Sequence, residues 1–167
     1  MIEKNPLILN ALTIFHVALS LVGIGSGVVA IYGLLKAKAP GRWTQVFLAT
    51  TAATSLTGFL FPFHGVTPAQ ALGVLSLIAL LIASLAIYRY HRQGIWRRTF
   101  AITVVMAFYF NVFVLIVQFF RRVPSLSAIA PSQSEPPFQI AQLAALLLFA
   151  AIGVRAATAK PQRGLVP

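Results

Sequence analysis

The side chains in this sequence that could do chemistry are few, and their types exclude most of it. There is no Cys and no Asp, and the only acids are Glu3 and Glu135. Disulfides, thiolate metal sites, aspartate dyads, EF-hand loops and Asp-based phosphoryl transfer therefore lack their residues. His16, His64 and His91 remain. Thr13, His16, Ser20, Gly23 and Gly27 recur at i, i+3, i+7, i+10 and i+14, which is one face of a helix. That face admits two readings. Gly23 and Gly27 form a small-xxx-small pair that lets helix backbones approach. Alternatively, small residues beside a histidine leave room for a flat cofactor such as haem b, with His16 as an axial ligand. A second ligand would have to be His64 or a second copy of the chain, because His91 falls on the other side of the threading given below. Zinc held by His16 and His64 is a weaker pattern, since no two-histidine helical motif fixes it. No Gly-x-Ser-x-Gly elbow is present for serine hydrolase chemistry.

Other polar residues fall inside apolar runs, where they mark packing contacts or sites. Thr50, Thr54 and Thr57 lie along one stripe, and Asn111, Gln118 and Arg122 share a face at i, i+7 and i+11. The threonines suit backbone or interhelical bonds, and Asn111 suits interhelical bonding or a substrate contact; together they form a candidate polar lining within the membrane. Counting helix depth puts His16, His64, Gln118, Arg121, Arg122, Glu135, Gln139 and Gln142 at one membrane level, a candidate outer-face site. For Arg121 and Arg122 the expected partners are Glu135, a lipid phosphate or an anionic ligand, against simple snorkelling at an interface.

These residues must be carried by elements of a particular kind. Of the 167 residues 59% are apolar and 9% charged, against roughly 45–50% and about 25% in soluble proteins. With 13 basic and two acidic side chains the surface cannot be clothed for water, so the apolar excess faces lipid. Charge-free stretches run from Asn5 to Leu35, Trp43 to Tyr88, Thr99 to Phe120 and Pro136 to Val154. The second is too long for one span and is broken between Pro62 and Pro68 by proline and glycine. The pattern predicts an all-α integral membrane bundle, a single domain over 1–167. Its five transmembrane helices are at about 6–35, 42–61, 68–90, 96–122 and 137–157, with an outer loop over 123–136. Asn5 before Pro6 and Thr67 before Pro68 supply capping side chains ahead of a proline at the first helical position. The first run is too long for a signal peptide and is read as an uncleaved helix.

Translocation of Lys and Arg is disfavoured, so their distribution sets orientation. With the N-terminus outside and the C-terminus inside, ten of the 13 basic residues fall inside. Lys4, Arg121, Arg122 and both glutamates stay outside. Trp43, Tyr88, Tyr90 and Trp96 border the inner loops, at headgroup level. The net charge of +11 therefore caps helix ends against an anionic leaflet and predicts no nucleic-acid partner. Five helices without an internal repeat disfavour the inverted-repeat transporter plan.

Phe15, His16, Ser20, Gly23 and Gly27, then Tyr32, Gly33, Lys36, Lys38 and Gly41, then Thr54, Ser55, Thr57, Gly58 and Phe59 resemble a family of uncharacterised bacterial multi-span integral membrane proteins. Members carry an early histidine, small residues below it and a Lys/Gly loop followed by a His-Arg pair. Here Arg42 and Trp43 follow Gly41, so that second histidine is missing. The resemblance covers residues 15–59 and implies a multi-pass protein of the bacterial cytoplasmic (inner) membrane. The expected function is non-enzymatic: an accessory, scaffold or interaction subunit whose partners are the lipid bilayer, other membrane subunits or further copies of itself. Alternatives are a redox protein holding b-haem or quinone near His16 and His64, and a small-molecule transporter or sensor.

Overall fold

The structure is a computed structural model that describes residues 6–61 and 68–159, with side chains in the second stretch described from residue 70. Every regular element among the described residues is a helix: α1 Pro6–Leu35, α2 Arg42–Gly58, α3 Pro68–Ser84 continuing as a π-helical end Leu85–Arg89, α4 Ile95–Arg122, a short α5 Pro124–Ile129 and α6 Pro136–Thr158. Four stretches, α1, Gln70–Arg89, α4 and α6, are long and apolar enough to cross a membrane. The chain is a membrane protein by that measure. Its helices are apolar on nearly every side, and small residues recur on the faces that meet. Gly23, Ser26, Gly27 and Ala30 are buried on α1, Ala79, Ala83 and Ala86 on α3 and its continuation, and Ala101, Thr103 and Ala107 on α4. Leu7, Ile14, Leu81 and Leu147 are each more than 60% exposed. Hydrophobicity does not draw helices together in lipid, so close approach at small residues does.

The expected second span is the element that differs most. Its helix stops at Gly58 rather than near Phe61, where the Phe59 amide bonds back to Leu56 O at 3.2 Å and the Leu60 amide to Thr57 O at 3.1 Å, tightening the last turn. The remaining 17 residues cover about 25 Å. Thr44, Gln45, Thr50, Thr51, Thr54, Ser55 and Thr57 reduce their hydropathy. The expected loop over 123–136 also holds structure. Val123 leaves helical geometry, Pro124 starts α5, and Ala130 beyond it is 1% exposed.

Neighbouring helices run antiparallel. On α1, Gly23 meets Thr50 and Thr51 of α2 and Asn111 of α4, whereas Gly27, one turn on, meets Phe47 and Phe108. Gly153 of α6 packs by Val105 of α4, and Phe138 at the other end of α6 stacks edge-on with Phe120. The core centres on Phe47, Thr51, Phe100 and Val104, all below 2% exposed. One end of the bundle, here the N-terminal end, gathers the starts of α1, α3 and α6 with the ends of α2 and α4. The opposite end holds the turn between α3 and α4, where Tyr90 and Trp96 stack with centroids 3.8 Å apart. There Arg92 lies over the Phe100 ring at 5.1 Å.

Candidate functional site

At the N-terminal end, α1, α2, α3 and α4 do not close on one another and leave a cavity of about 650 Å³. Its size falls in the ordinary range for small-molecule sites, about 300–1,000 Å³. The wall is mostly apolar, with the polar groups on separate helices: Thr13, His16 and Ser20 from α1, Thr54 and Ser55 from α2, Gln70 and Ser76 from α3, and Asn111, Gln118 and Arg122 from α4. The periodicity of each helix turns these side chains the same way.

His16 is the group with most chemistry, and its neighbours orient it. Its Nδ1 lies 2.9 Å from Thr57 Oγ1. That hydroxyl donates to its own helix, to Ala53 O at 2.8 Å with a longer contact to Thr54 O at 3.1 Å. A hydroxyl has one proton; with it given to Ala53 O, Thr57 accepts from His16 and the ring hydrogen is assigned to Nδ1. The neutral imidazole then keeps an unshared pair on Nε2. Phe61 packs edge-on against the ring at 5.2 Å, and Gly58 leaves space beside Cε1. Thr13 and Ser20, on the same face, bond to Leu9 O and His16 O of α1 at 2.8 Å.

Two wall residues are unsatisfied. Thr54 and Ser76 are 8% and 3% exposed, and neither Oγ has a hydrogen-bond partner among the described residues. A buried hydroxyl without a partner costs about 1–3 kcal/mol. At the floor, Asn111 Nδ2 donates to Thr51 Oγ1 at 3.0 Å beside Gly23. At the mouth, Arg122 Nε reaches Gln118 Oε1 at 3.5 Å.

The structure thus brings His16, Ser20, Thr54, Asn111, Gln118 and Arg122 around one space, with Thr57 behind the histidine. Other expected members lie elsewhere. Arg121 is exposed and does not line the cavity. Glu135 pairs with no arginine among the described residues; it accepts from Ser132 Oγ at 2.8 Å and from the amides of Ser132 and Ser134 at 3.0 Å each. The Ser132 hydroxyl, followed by these amides, holds its carboxyl below the usual range. Gln139 donates to Ser134 O at 2.8 Å, and Gln142 to Phe113 O at 3.3 Å. Thr50 bonds Val46 O at 2.7 Å, on its own helix. Gly27 faces Phe108 and Phe47 in the core. His64 lies outside the described residues, among which no three His, Cys, Asp or Glu side chains gather as a metal site.

Sequence reasoning missed Thr51 and the α3 wall. The buried stripe of α2 is Thr44, Phe47, Thr51 and Thr54, one position round from the stripe expected through Thr50. On α3 the signal was present as Gln70, Gly73 and Ser76, three small or polar residues three apart in a Leu/Ile-rich run. No family model, curated protein or solved structure matches the chain. The resemblance over residues 15–59 therefore assigns neither family nor activity.

Proposed function

We propose that this protein is a non-catalytic membrane subunit that holds a small, largely apolar ligand bearing a hydroxyl or carbonyl in the cavity beside His16, as an accessory or sensing component. The carrying observation is the cavity itself, which puts the His16 imidazole, held by Thr57, and polar side chains from four helices inside mostly apolar walls. A guest hydroxyl can donate to Nε2 of His16, and Gln118 and Arg122 at the mouth can donate to guest oxygen. In this reading the chain crosses the membrane five times, N-terminus outside and C-terminus inside, in the cytoplasmic membrane of a bacterium. The antiparallel pairing of α1 with α2 supports the fifth crossing, as does the length of α2, near the lower limit of about 17 residues for a span. Organic extraction and mass spectrometry of purified protein test the ligand. Wild type is expected to yield one bound small molecule, lost on Ser20→Phe and reduced on His16→Leu. Equal recovery from all three, or none from wild type, rejects it.

A second reading, b-haem or quinone in the same cavity, is favoured by the His16 tautomer. Ligating histidines commonly donate their other N–H to a protein acceptor, the arrangement that the Nδ1–H assignment gives His16 and Thr57. A Soret band in membranes overexpressing the protein, abolished by His16→Ala, is its expected signature for haem. A spectrum without that band removes haem from consideration.

A further inference from the structure

A separate groove of about 530 Å³ lies between α4 and α6, toward the basic end of the bundle. Along α4 it is lined by Arg98, Ile102, Val105, Met106 and Tyr109. Arg98 to Tyr109 is an advance of 11 residues, about 16 Å at 1.5 Å each. That is about half of a 30 Å hydrocarbon layer, the depth of a single leaflet. The groove stops where Tyr109 packs against Phe113 and Phe149, with ring centroids 6.1 and 5.7 Å away. At Gly153 its floor lacks a side chain, and a Cβ there would stand 3.6 Å from Val105 Cγ1.

The mouth is cationic and has no acid to answer it. The chain has no Asp, Glu3 precedes α1, and Glu135 is bonded within its own turn at the other end. Arg97 donates to Ala159 O and closes the end of α6. Arg98 is exposed and makes no hydrogen bond or ion pair among the described residues. From these dimensions and this charge we infer that the α4–α6 groove binds one anionic phospholipid. One acyl chain lies along Ile102, Met106 and Tyr109, and the phosphate meets the Arg98 guanidinium.

Native mass spectrometry of delipidated protein, titrated with phosphatidylglycerol or phosphatidylcholine of identical chains, tests this. Wild type is expected to retain phosphatidylglycerol more strongly. Arg98→Gln should cut that preference about fivefold, the weight of one basic residue at an anionic surface, while Arg98→Lys keeps most of it. Ala150→Trp, at an exposed groove position of α6, should weaken both lipids equally and leave their ratio unchanged. Glycerol 3-phosphate, a headgroup without chains, should displace neither. Equal retention of the two lipids by wild type, an unchanged preference in Arg98→Gln, or displacement by glycerol 3-phosphate would overturn the inference. So would a dimer cross-linked through Leu146, which would put a second copy in the groove.

Discussion

His16 depends on a single hydroxyl for its orientation, so the consequence of removing that hydroxyl can be stated. Thr57→Val keeps the shape of the side chain and deletes the acceptor for Nδ1. The lost bond, about 0.5–1.5 kcal/mol, should weaken ligand retention roughly twofold to tenfold by mass spectrometry while leaving the fold intact. Glycines on α1 give a paired prediction about packing. A Cβ at Gly27 would stand 2.7 Å from Phe108 Cδ2, and that ring is held between Phe47 and Phe149. Gly27→Ala should therefore destabilise by about 1–3 kcal/mol, measured by unfolding in mixed detergent micelles. Gly25→Ala, with nothing within 4 Å, should be neutral or slightly stabilising through its better helix propensity. Equal effects at the two positions would contradict the packing described.

Among the elements, the turn leading into α6 shows how a local sequence settles its own structure. Ser132, Ser134 and Glu135 close on themselves, and the carboxylate accepts from one hydroxyl and two amides. Because these bonds lower the folded pKa, their contribution is full above the ordinary carboxylate value of about 4.3 and disappears as pH falls through the depressed value. An NMR titration of the Glu135 carboxyl should give a midpoint below that ordinary value, and Ser132→Ala should raise it. A midpoint unaffected by Ser132→Ala would remove the turn as its cause. At the other end, His91 and Arg92 adopt left-handed φ of 48° and 56°, and the chain reverses after a π-helical end rather than after a glycine. The Tyr90–Trp96 stack and Arg92 over Phe100 hold that reversal.

At the scale of the whole molecule, charge and threading are linked. Among the described residues, Lys36, Lys38, Arg42, Arg89, Arg92, Arg97, Arg98 and Arg155 lie at one end and only Arg121 and Arg122 at the other. The chain has no cysteine, so single-cysteine variants can be labelled without background. If α2 crosses, Lys38→Cys and Gln93→Cys lie on the same side of the membrane and Ser125→Cys on the opposite one. An impermeant thiol reagent applied to intact cells should then label Ser125→Cys alone. Labelling that places Lys38→Cys and Gln93→Cys on opposite sides would establish four crossings, with α2 lying within one leaflet.

Composition and charge-free run length were sufficient to show a helical membrane protein, because lipid demands long apolar helices and few charges whatever the packing. Spacing was also sufficient to put His16, Ser20 and Gly23 on one face, and Asn111, Gln118 and Arg122 on another. Which faces meet was settled only by packing. A shift of one residue round α2 replaces Thr50 with Thr51 in the core, since adjacent positions on a helix differ by about 100°. Likewise, Arg122 and Glu135 are close in sequence depth, yet Glu135 satisfies its oxygens inside its own turn. The His16 cavity and the α4–α6 groove are spaces between helices, set by small residues on several chain segments at once, and so they are properties of the assembled bundle.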